Sequence, residues 1–167
     1  ILKSLDVLGV LDTCLGVMTG YFASADQIKV AASFIRKMKN KNAALYVLVD
    51  PVPGDDGTLY VSNEVANAIR YDLLPLASCI TPNCFELGWL SGKPVSNKKE
   101  ALIAAATLPH KEMLATSIPM GDNTLATMAI IGGEYAETCT VIKPSVPHGT
   151  GDFLAGLYFA ARLNGFE

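Results

Sequence analysis

The sequence carries little charge and has no basic surplus. Charged residues make up 17% of its 167 residues, and the formal net charge at pH 7 is -3. Proteins that bind nucleic acid or anionic lipid use clusters of Lys and Arg, and this chain has no such cluster. It also lacks an apolar run of the roughly 18 residues that a membrane span requires. We therefore expect neither nucleic acid nor a membrane as a partner.

The chain also lacks paired cysteines. Its four cysteines, Cys14, Cys79, Cys84 and Cys139, form no CxxC motif and lie in or beside apolar segments. Cysteines in such positions usually behave as small buried apolar residues. We therefore expect free, buried thiols, which a reducing compartment maintains, and predict a cytoplasmic protein.

Hydrophobic residues make up 50% of the chain, which is enough for the core of one domain of this length. Short apolar segments of strand length alternate with longer segments of helical periodicity. This alternation predicts an α/β domain in which helices cover both faces of a mostly parallel sheet, with an antiparallel hairpin near one edge. The predicted strands are 14–19, 44–50, 78–81, 113–117, 124–131 and 137–142, and the predicted helices are 24–40, 63–73, 83–91, 97–108 and 150–164.

Polar residues follow the predicted parallel strands directly. In a parallel sheet, ligands bind outside the carboxyl ends of the strands, so these residues are the first candidates for a site. The candidate segments are Thr19-Gly20-Tyr21, Asp50-Pro51, Thr81-Pro82-Asn83, Thr116-Ser117 and Gly149-Thr150-Gly151-Asp152.

The strongest single motif is HGTGDFLAGLYFAARL, from His148 to Leu163. Its glycines allow another molecule to approach the backbone closely. The apolar helix that follows directs unpaired N–H groups and the positive end of its dipole into the loop, which predicts an anion-binding hole. Asp152 is either an ordinary acidic residue of the first helical turn or, beside such a hole, a general base that takes a proton from an attacking hydroxyl.

A second motif, TPNCFEL, places two oxygen-bearing side chains three residues apart at the start of a helix. Asn83 and Glu86 therefore face the same side, where they act either as capping residues or as ligands of Mg²⁺ and its waters. Asp50, at the end of a buried strand, is a third oxygen donor. Because an unpaired buried carboxylate is costly, a nearby cation would satisfy it.

Two further segments are ambiguous from residue chemistry alone. The loop 54–60, GDDGTLY, is either a solvated turn or a lid over a site. The hydroxyls of Thr116 and Ser117 are either satisfied at a strand end or available to a ligand. Both segments follow predicted strands and stay among the candidates.

Together, these motifs resemble a known family. The segments MTGYFASADQ, DPVPGDDGTLYV, LLPLASCITPNCFELGWLSG and VPHGTGDFLAGLYFA are similar, in this order and at similar separations, to those of pyridoxal kinases in the ribokinase-like superfamily. The resemblance covers nearly the whole chain from about Leu5. It implies a ribokinase-like three-layer α/β/α fold. It also implies transfer of the ATP γ-phosphate to the 5′-hydroxyl of pyridoxal, with pyridoxine and pyridoxamine as further candidate acceptors.

The resemblance assigns roles on the acceptor side of the site. Asp152 would be the base that activates the hydroxyl, and Tyr21 would pack near the pyridine ring. The amides that stabilise the transferring phosphoryl group would come from Gly149, Thr150 and Gly151.

On the nucleotide side, the resemblance implies Mg²⁺, ATP and a monovalent cation such as K⁺. Asp50, Asn83 and Glu86 would organise Mg²⁺ and the phosphates. Thr81 and Thr116 would line the region of the nucleotide and the monovalent cation, and Ser117 would approach the nucleotide. Asp55 and Tyr60 would belong to a flap that closes over ATP.

The family pattern has two portions without a counterpart here, a first βα unit with much of the vitamer pocket and a C-terminal helical portion. We therefore expect residues 1–167 to be one kinase domain that is an incomplete fragment, with a homodimer implied by the resemblance. A hydroxymethylpyrimidine (phosphate) kinase and a superfamily sugar kinase are alternatives, although the former typically carries Cys at the position of Asp152. A catalytically incomplete chain that only binds nucleotide is a further alternative.

Overall fold

The computed structural model describes residues 1–55 and 57–166. The helices of these residues are α1 (Leu2–Val7), α2 (Ala25–Lys41), α3 (Asn63–Ala68), α4 (Cys84–Ser91), α5 (Lys98–Ala105) and α6 (Thr150–Leu163). The strands are β1 (Gly16–Thr19), β2 (Tyr46–Val49), β3 (Gly54–Asp55), β4 (Thr58–Leu59), β5 (Cys79–Ile80), β6 (Glu112–Gly121), β7 (Thr124–Ile131) and β8 (Glu134–Val141). A π turn (Ile69–Leu73) and a 3-10 turn (Leu74–Leu76) continue α3, and a 3-10 turn (Val10–Thr13) precedes β1.

One sheet has the strand order β1-β2-β5-β6-β7-β8. The pairs β1–β2, β2–β5 and β5–β6 are parallel, whereas β6–β7 and β7–β8 are antiparallel. The predicted parallel part of the sheet is therefore confirmed. At the edge, where the sequence predicted a two-stranded hairpin, the structure has an antiparallel meander of three strands, β6, β7 and β8.

The meander follows from two tight turns. Asp122 and Asn123 join β6 to β7 with φ of 48° and 56°, and Gly132 and Gly133 join β7 to β8 with φ of 61° and 94°. Positive φ at both central residues gives the turn twist that matches antiparallel strands. The sequence indicated the second turn but not the first. As a result, β6 extends beyond its predicted end at 117, and β8 begins at Glu134 instead of 137.

The sheet lies between two layers of helices, as predicted. Val47 and Val49 of β2 pack with buried residues of α2 to α5 in one core, while Leu48 points the other way and packs with Ala155 of α6. The two layers are unequal. Within the described residues, α6 is the helix of the second layer, and its Phe153 and Leu157 are 69% and 53% exposed.

The expectation of buried thiols is confirmed for Cys79 and is wrong for Cys139. Cys79 is buried in β5, Cys14 and Cys84 are half-buried, and Cys139 is exposed on the edge strand β8. All four thiols are free. In the part of the chain that the structure describes, no helix is long and apolar enough to cross a membrane.

Candidate active site

A cavity of about 540 Å³ is enclosed by the carboxyl ends of the parallel strands, by Val52, Asp55 and Tyr60, and by the start of α6. Its wall is formed by residues that were far apart in the chain and that the fold brings to one edge of the sheet. Twelve residues singled out from the sequence line it: Asp50, Asp55, Tyr60, Thr81, Asn83, Glu86, Thr116, Ser117, Gly149, Thr150, Gly151 and Asp152. A cavity of about 620 Å³ beside α5 is lined without any Asp or Glu, so its chemistry is different.

Asp50 is buried directly after β2, where Thr81 at the end of β5 donates its hydroxyl to Asp50 Oδ1 at 2.9 Å. Burial raises the pKa of Asp50 to about 6, because it disfavours the charged form. The Thr81 hydrogen bond opposes this shift, and the charge of Asp152 adds to it. The Asp50 carboxylate is thus held in place, and the described residues of the cavity wall include no Lys or Arg to neutralise it.

Glu86, in the first turn of α4, is 3% exposed. Burial raises its pKa to about 8, and the charges of Asp50 and Asp55 push in the same direction, against hydrogen bonds from the backbone of Asn83 and Gly54. Like charges facing one another in a buried place favour protonation or a bound cation.

Asn83 is the cap of α4. Its Oδ1 accepts the Glu86 backbone N–H at 2.8 Å, and its own N–H donates to Glu86 Oε2 at 2.8 Å, which is a capping box. Its Nδ2 donates to the carbonyl oxygen of Gly54 at 3.0 Å. The capping alternative left open by the sequence is thus realised. The expected role of Asn83 as a metal ligand stays a prediction, since its side chain also lines the cavity beside Asp50 and Glu86.

The start of α6 has no side-chain cap. Gly149 occupies the cap position with φ of 86°, whereas Ser24, Ser62, Asn83 and Asn97 accept backbone N–H groups at the starts of α2, α3, α4 and α5. Among the described residues, no side chain caps the first amides of α6, and the residues from Gly149 to Asp152 line the cavity, which suits an anion-binding helix start.

Asp152 lies where two loops meet. A Cβ built on Gly20 would lie 3.7 Å from Asp152 Oδ1, and one built on Gly149 would lie 3.9 Å from Asp152 Oδ2. The carboxylate is exposed, so a substrate can reach it. Both glycines leave room on either side of the group predicted to act as the base.

Thr116 and Ser117 interrupt β6. The register with β7 shifts between Ala115 and Ile118, and Ser117 has φ of 57°. Such bulges re-aim side chains next to functional sites. The Thr116 N–H donates to the carbonyl oxygen of Pro82 at 2.9 Å, which joins this bulge to the loop that leads into α4.

The segment predicted as either a turn or a lid is a two-stranded hairpin, β3–β4, which we call the flap. It lies against α4 and lines the cavity through Asp55. Tyr60 follows the flap and is 56% exposed. Burial of its ring raises the pKa of Tyr60 to about 12, and nearby Glu86 and Asp55 add to the shift.

The candidate segment 19–21 does not line the cavity. Tyr21 is 62% exposed, and its packing near a substrate ring stays a prediction. Thr19 is buried at the end of β1, and its hydroxyl has no hydrogen-bond partner among residues 1–55 and 57–166. Its position at a strand end is what made Thr19 a candidate in the sequence.

The cavity suits a hard cation whose remaining ligands are waters or phosphate oxygens. Asp50 and Glu86 are oxygen donors of the kind that Mg²⁺ prefers, and the described lining contains no Lys or Arg to neutralise them. Within residues 1–55 and 57–166, no three His, Cys, Asp or Glu side chains converge as a ready-made metal cage. Mg²⁺ typically binds one or two carboxylates and completes its shell with waters and phosphate oxygens, so this arrangement fits it.

Comparison with known proteins agrees with the architecture of this site. A family model described as phosphomethylpyrimidine kinase matches residues 11–165. A pyridoxine/pyridoxal/pyridoxamine kinase of Bordetella avium is 39% identical over 98% of this chain and 58% of its own length. A pyridoxal kinase of Actinobacillus succinogenes is 31% identical over 99% of this chain and 61% of its own length.

A solved structure shows the same fold. The pyridoxal kinase of Leishmania donovani, in complex with ADP and pyridoxine, superposes with a TM-score of 0.84 at 26% identity, over 98% of this chain and 59% of that one. This chain therefore spans about three-fifths of the length of the relatives described.

Proposed function

Because the chain belongs to the phosphomethylpyrimidine kinase family, we propose that it transfers the γ-phosphate of ATP to the 5′-hydroxyl of pyridoxal or a related B6 vitamer. In this reaction the hydroxyl oxygen forms a bond to the γ-phosphorus while the bond to the β–γ bridging oxygen breaks. The products are the vitamer 5′-phosphate and ADP, and the hydroxyl proton passes to the protein. The curated relatives with this activity support the proposal, as does the ADP and pyridoxine complex of the Leishmania enzyme.

One observation carries the proposal. The uncapped start of α6, with Asp152 in its first turn, faces the same cavity as the buried carboxylates Asp50 and Glu86. Phosphoryl transfer needs positioning and stabilisation of charge more than covalent chemistry, and these groups provide both.

The proposed roles follow from this placement. Asp152 Oδ takes the proton of the acceptor hydroxyl, and the amides of Gly149, Thr150 and Gly151 donate hydrogen bonds to the oxygens of the transferring phosphoryl group. Asp50 and Glu86 hold Mg²⁺, which neutralises phosphate charge when bound. Thr81, Thr116 and Ser117 contact the nucleotide, with K⁺ as the proposed monovalent cation near the two threonines, and Asp55 and Tyr60 close over it.

The test separates a base from an ordinary acidic residue of a first helical turn. We expect Asp152→Asn to lower kcat for pyridoxal with MgATP by about 100-fold or more, because a positioned base contributes roughly this factor. The matched control is Asp26→Asn, since Asp26 also lies in the first turn of a helix, α2, and is exposed. It should leave kcat within about twofold. Near-normal turnover by Asp152→Asn would remove Asp152 from the base role.

Two alternatives remain testable in the same assay. The name of the matching family model favours a hydroxymethylpyrimidine (phosphate) acceptor as the second candidate, so that compound is offered in place of pyridoxal. The part of the relatives that this chain does not span supports the other alternative, a fragment that binds nucleotide without catalysis. Binding of MgADP without turnover of either acceptor would favour that alternative.

Assembly and location are further proposals. The exposed apolar side chains on the α6 layer, such as Phe153 and Leu157, support a second copy or further polypeptide covering that side. We propose a homodimer, and sedimentation at two protein concentrations tests it. The free thiols support a cytoplasmic location.

A further inference from the structure

The base of the flap and the first turn of α4 share one residue, Asn83. Its Nδ2 donates to the flap through the carbonyl oxygen of Gly54, while its Oδ1 and its backbone N–H hold Glu86. The orientation of the amide is fixed by its neighbours, because a flipped amide would set oxygen against the Gly54 carbonyl and N–H₂ against the Glu86 N–H. Asn83 thus connects the flap to a carboxylate of the candidate metal site.

Gly54 makes the connection tight. A Cβ at Gly54 would lie 2.3 Å from the Thr58 carbonyl oxygen and 2.4 Å from the Phe85 ring, so the flap base lies directly on α4. A hydrogen bond from the Gly54 backbone also lowers the pKa of Glu86, against the larger effect of burial. The flap base therefore accepts from Asn83 and donates to Glu86, the two members of one capping box.

Val52, two residues before Gly54, is strained. It has φ of 38°, a conformation that a β-branched residue rarely adopts. Strain of this kind persists where the surrounding contacts hold it. Here the flap is held at its ends by the Asn83 bond to Gly54 and by the Tyr60 N–H, which donates to the Pro53 carbonyl oxygen at 3.1 Å. Both bonds lie within two residues of Val52 in the chain.

We propose that Asn83 is a positioning residue that latches the flap to Glu86, so that the flap and the phosphate end of the cavity are placed as one unit. This proposal rests on the proposed function only for the identity of the ligand in the cavity, a magnesium nucleotide. The latch itself is a property of the chain and can be tested without turnover. Its cause is that one side-chain amide serves both elements.

The variant that isolates the latch is Asn83→Ser. A serine hydroxyl still caps the helix by accepting the Glu86 N–H, but it has no amide N–H₂ to donate to Gly54. The chain provides a matched control in Asn97, which caps α5 by accepting the Glu100 N–H at 3.0 Å and lies outside the flap cavity. Asn97→Ser makes the same chemical change at a cap without a flap. Asn83→Asp is the second variant, because Asp is an equally good cap and also lacks the donor.

The measurement is amide hydrogen exchange without ligand, read at Tyr60 for the flap and along β7 for the whole fold. We expect Asn83→Ser and Asn83→Asp to speed exchange at Tyr60 by about five- to tenfold, as the loss of one hydrogen bond from a local opening predicts. Exchange in β7 should be unchanged, and Asn97→Ser should leave Tyr60 within about twofold. The proposal is overturned if Tyr60 exchange is unchanged in both Asn83 variants, or if Asn97→Ser speeds it equally.

Kinetics then separates the latch from the proposed function. With pyridoxal and MgATP, Asn83→Ser should raise KM for ATP several-fold and leave KM for pyridoxal within about twofold, since the flap lies on the nucleotide side. Equal changes in both KM values would contradict the latch. Absence of turnover in the unmodified chain would count against the proposed function, while the exchange result would still decide the latch.

Discussion

Each end of the parallel sheet buries one glutamate, and the two glutamates have oppositely charged neighbours. At the amino ends, Glu112 of β6 accepts hydrogen bonds from Arg162 Nε at 2.9 Å and from the hydroxyls of Tyr46 at 2.6 Å and Tyr158 at 2.9 Å. At the carboxyl ends, Glu86 accepts backbone N–H groups and has other carboxylates as neighbours. Both glutamates are buried, so their surroundings differ in charge and not in depth.

This difference separates stability from function within one sheet. The Glu112 cluster joins β2 and β6 to the last turns of α6, and it fixes the helix whose opposite end carries Asp152. Glu86 and Asp50 instead lie close to other carboxylates, with no Lys or Arg in the described cavity wall, so ionising them costs stability until a cation binds. The end of the sheet with satisfied charges holds the fold, and the end with unsatisfied charges is prepared for a ligand.

The largest expected effect comes from removing the Arg162 cation that pairs with Glu112 at the amino ends of the strands. Arg162→Met should lower the free energy of unfolding by about 3 kcal/mol, because it leaves Glu112 buried without its cation. Urea unfolding at pH 7 measures this. The double variant Glu112→Leu with Arg162→Met should return to within about 1 kcal/mol of the unmodified chain, since it removes both charges. A loss below about 1 kcal/mol in the single variant would mean that the pair contributes little.

The same substitution at the two ends should have opposite signs. The folded-state pKa of Glu86, about 8, lies above its usual value of 4.5, so folded Glu86 binds a proton that unfolded Glu86 has released. Its contribution to the free energy of unfolding is therefore lost as pH rises from about 4.5 to 8. Glu86→Gln should raise the free energy of unfolding by about 2 kcal/mol at pH 8, whereas Glu112→Gln should lower it by about 2 kcal/mol.

Urea unfolding of both variants at pH 5 and pH 8 measures this contrast. The gain from Glu86→Gln should be small at pH 5, where the folded carboxyl is already neutral. Asp50, with its pKa raised to about 6, retains a weaker dependence of the same sign in that variant. Equal signs for the two variants at pH 8 would contradict the difference between the two ends.

The smallest expected effect is stabilisation by Mg²⁺ alone. At tenfold excess over its dissociation constant, Mg²⁺ should raise the free energy of unfolding by about 1.4 kcal/mol. The gain should be larger at pH 8 than at pH 6, because protons compete with the cation at Glu86 and Asp50. Thermal unfolding with and without Mg²⁺ shows whether Glu86→Gln removes this gain while Glu112→Gln keeps it. A gain of equal size in both variants would place the cation elsewhere.

Sequence patterns predicted the elements well where the signal was local. The period of α2 and its Ser24 cap, the apolar run of β2 and the start of α6 at Thr150 all lie close to their predicted places. Errors occur where the bounds of a strand depend on its pairing with another strand. The end of β6 depends on a turn at 122–123 and on partners in β7, and neither can be inferred from periodicity alone.

The candidate site was predicted more completely than its contacts. Twelve predicted residues line the cavity, since strand ends converge in any parallel sheet. Tyr21 does not line the cavity, because a residue two positions beyond a strand can turn either way, and its proximity to a substrate ring stays a prediction. The capping bond of Asn83 was one of the predicted alternatives, but its bond to the Gly54 carbonyl oxygen was not, because Gly54 lies 29 residues earlier and the capping pattern does not indicate such a contact.

The sequence by itself determined the alternation of strands and helices, the family resemblance and the set of polar residues at the strand ends. These are properties of short segments, which periodicity, caps and motif spacing record directly. Only the tertiary structure decided which carboxylate is neutralised. Glu112 finds Tyr46 and Arg162 at separations of 66 and 50 residues, whereas Glu86 finds other carboxylates. The charge balance of a buried group depends on its neighbours in space, and the order of residues along the chain does not show which residues those are.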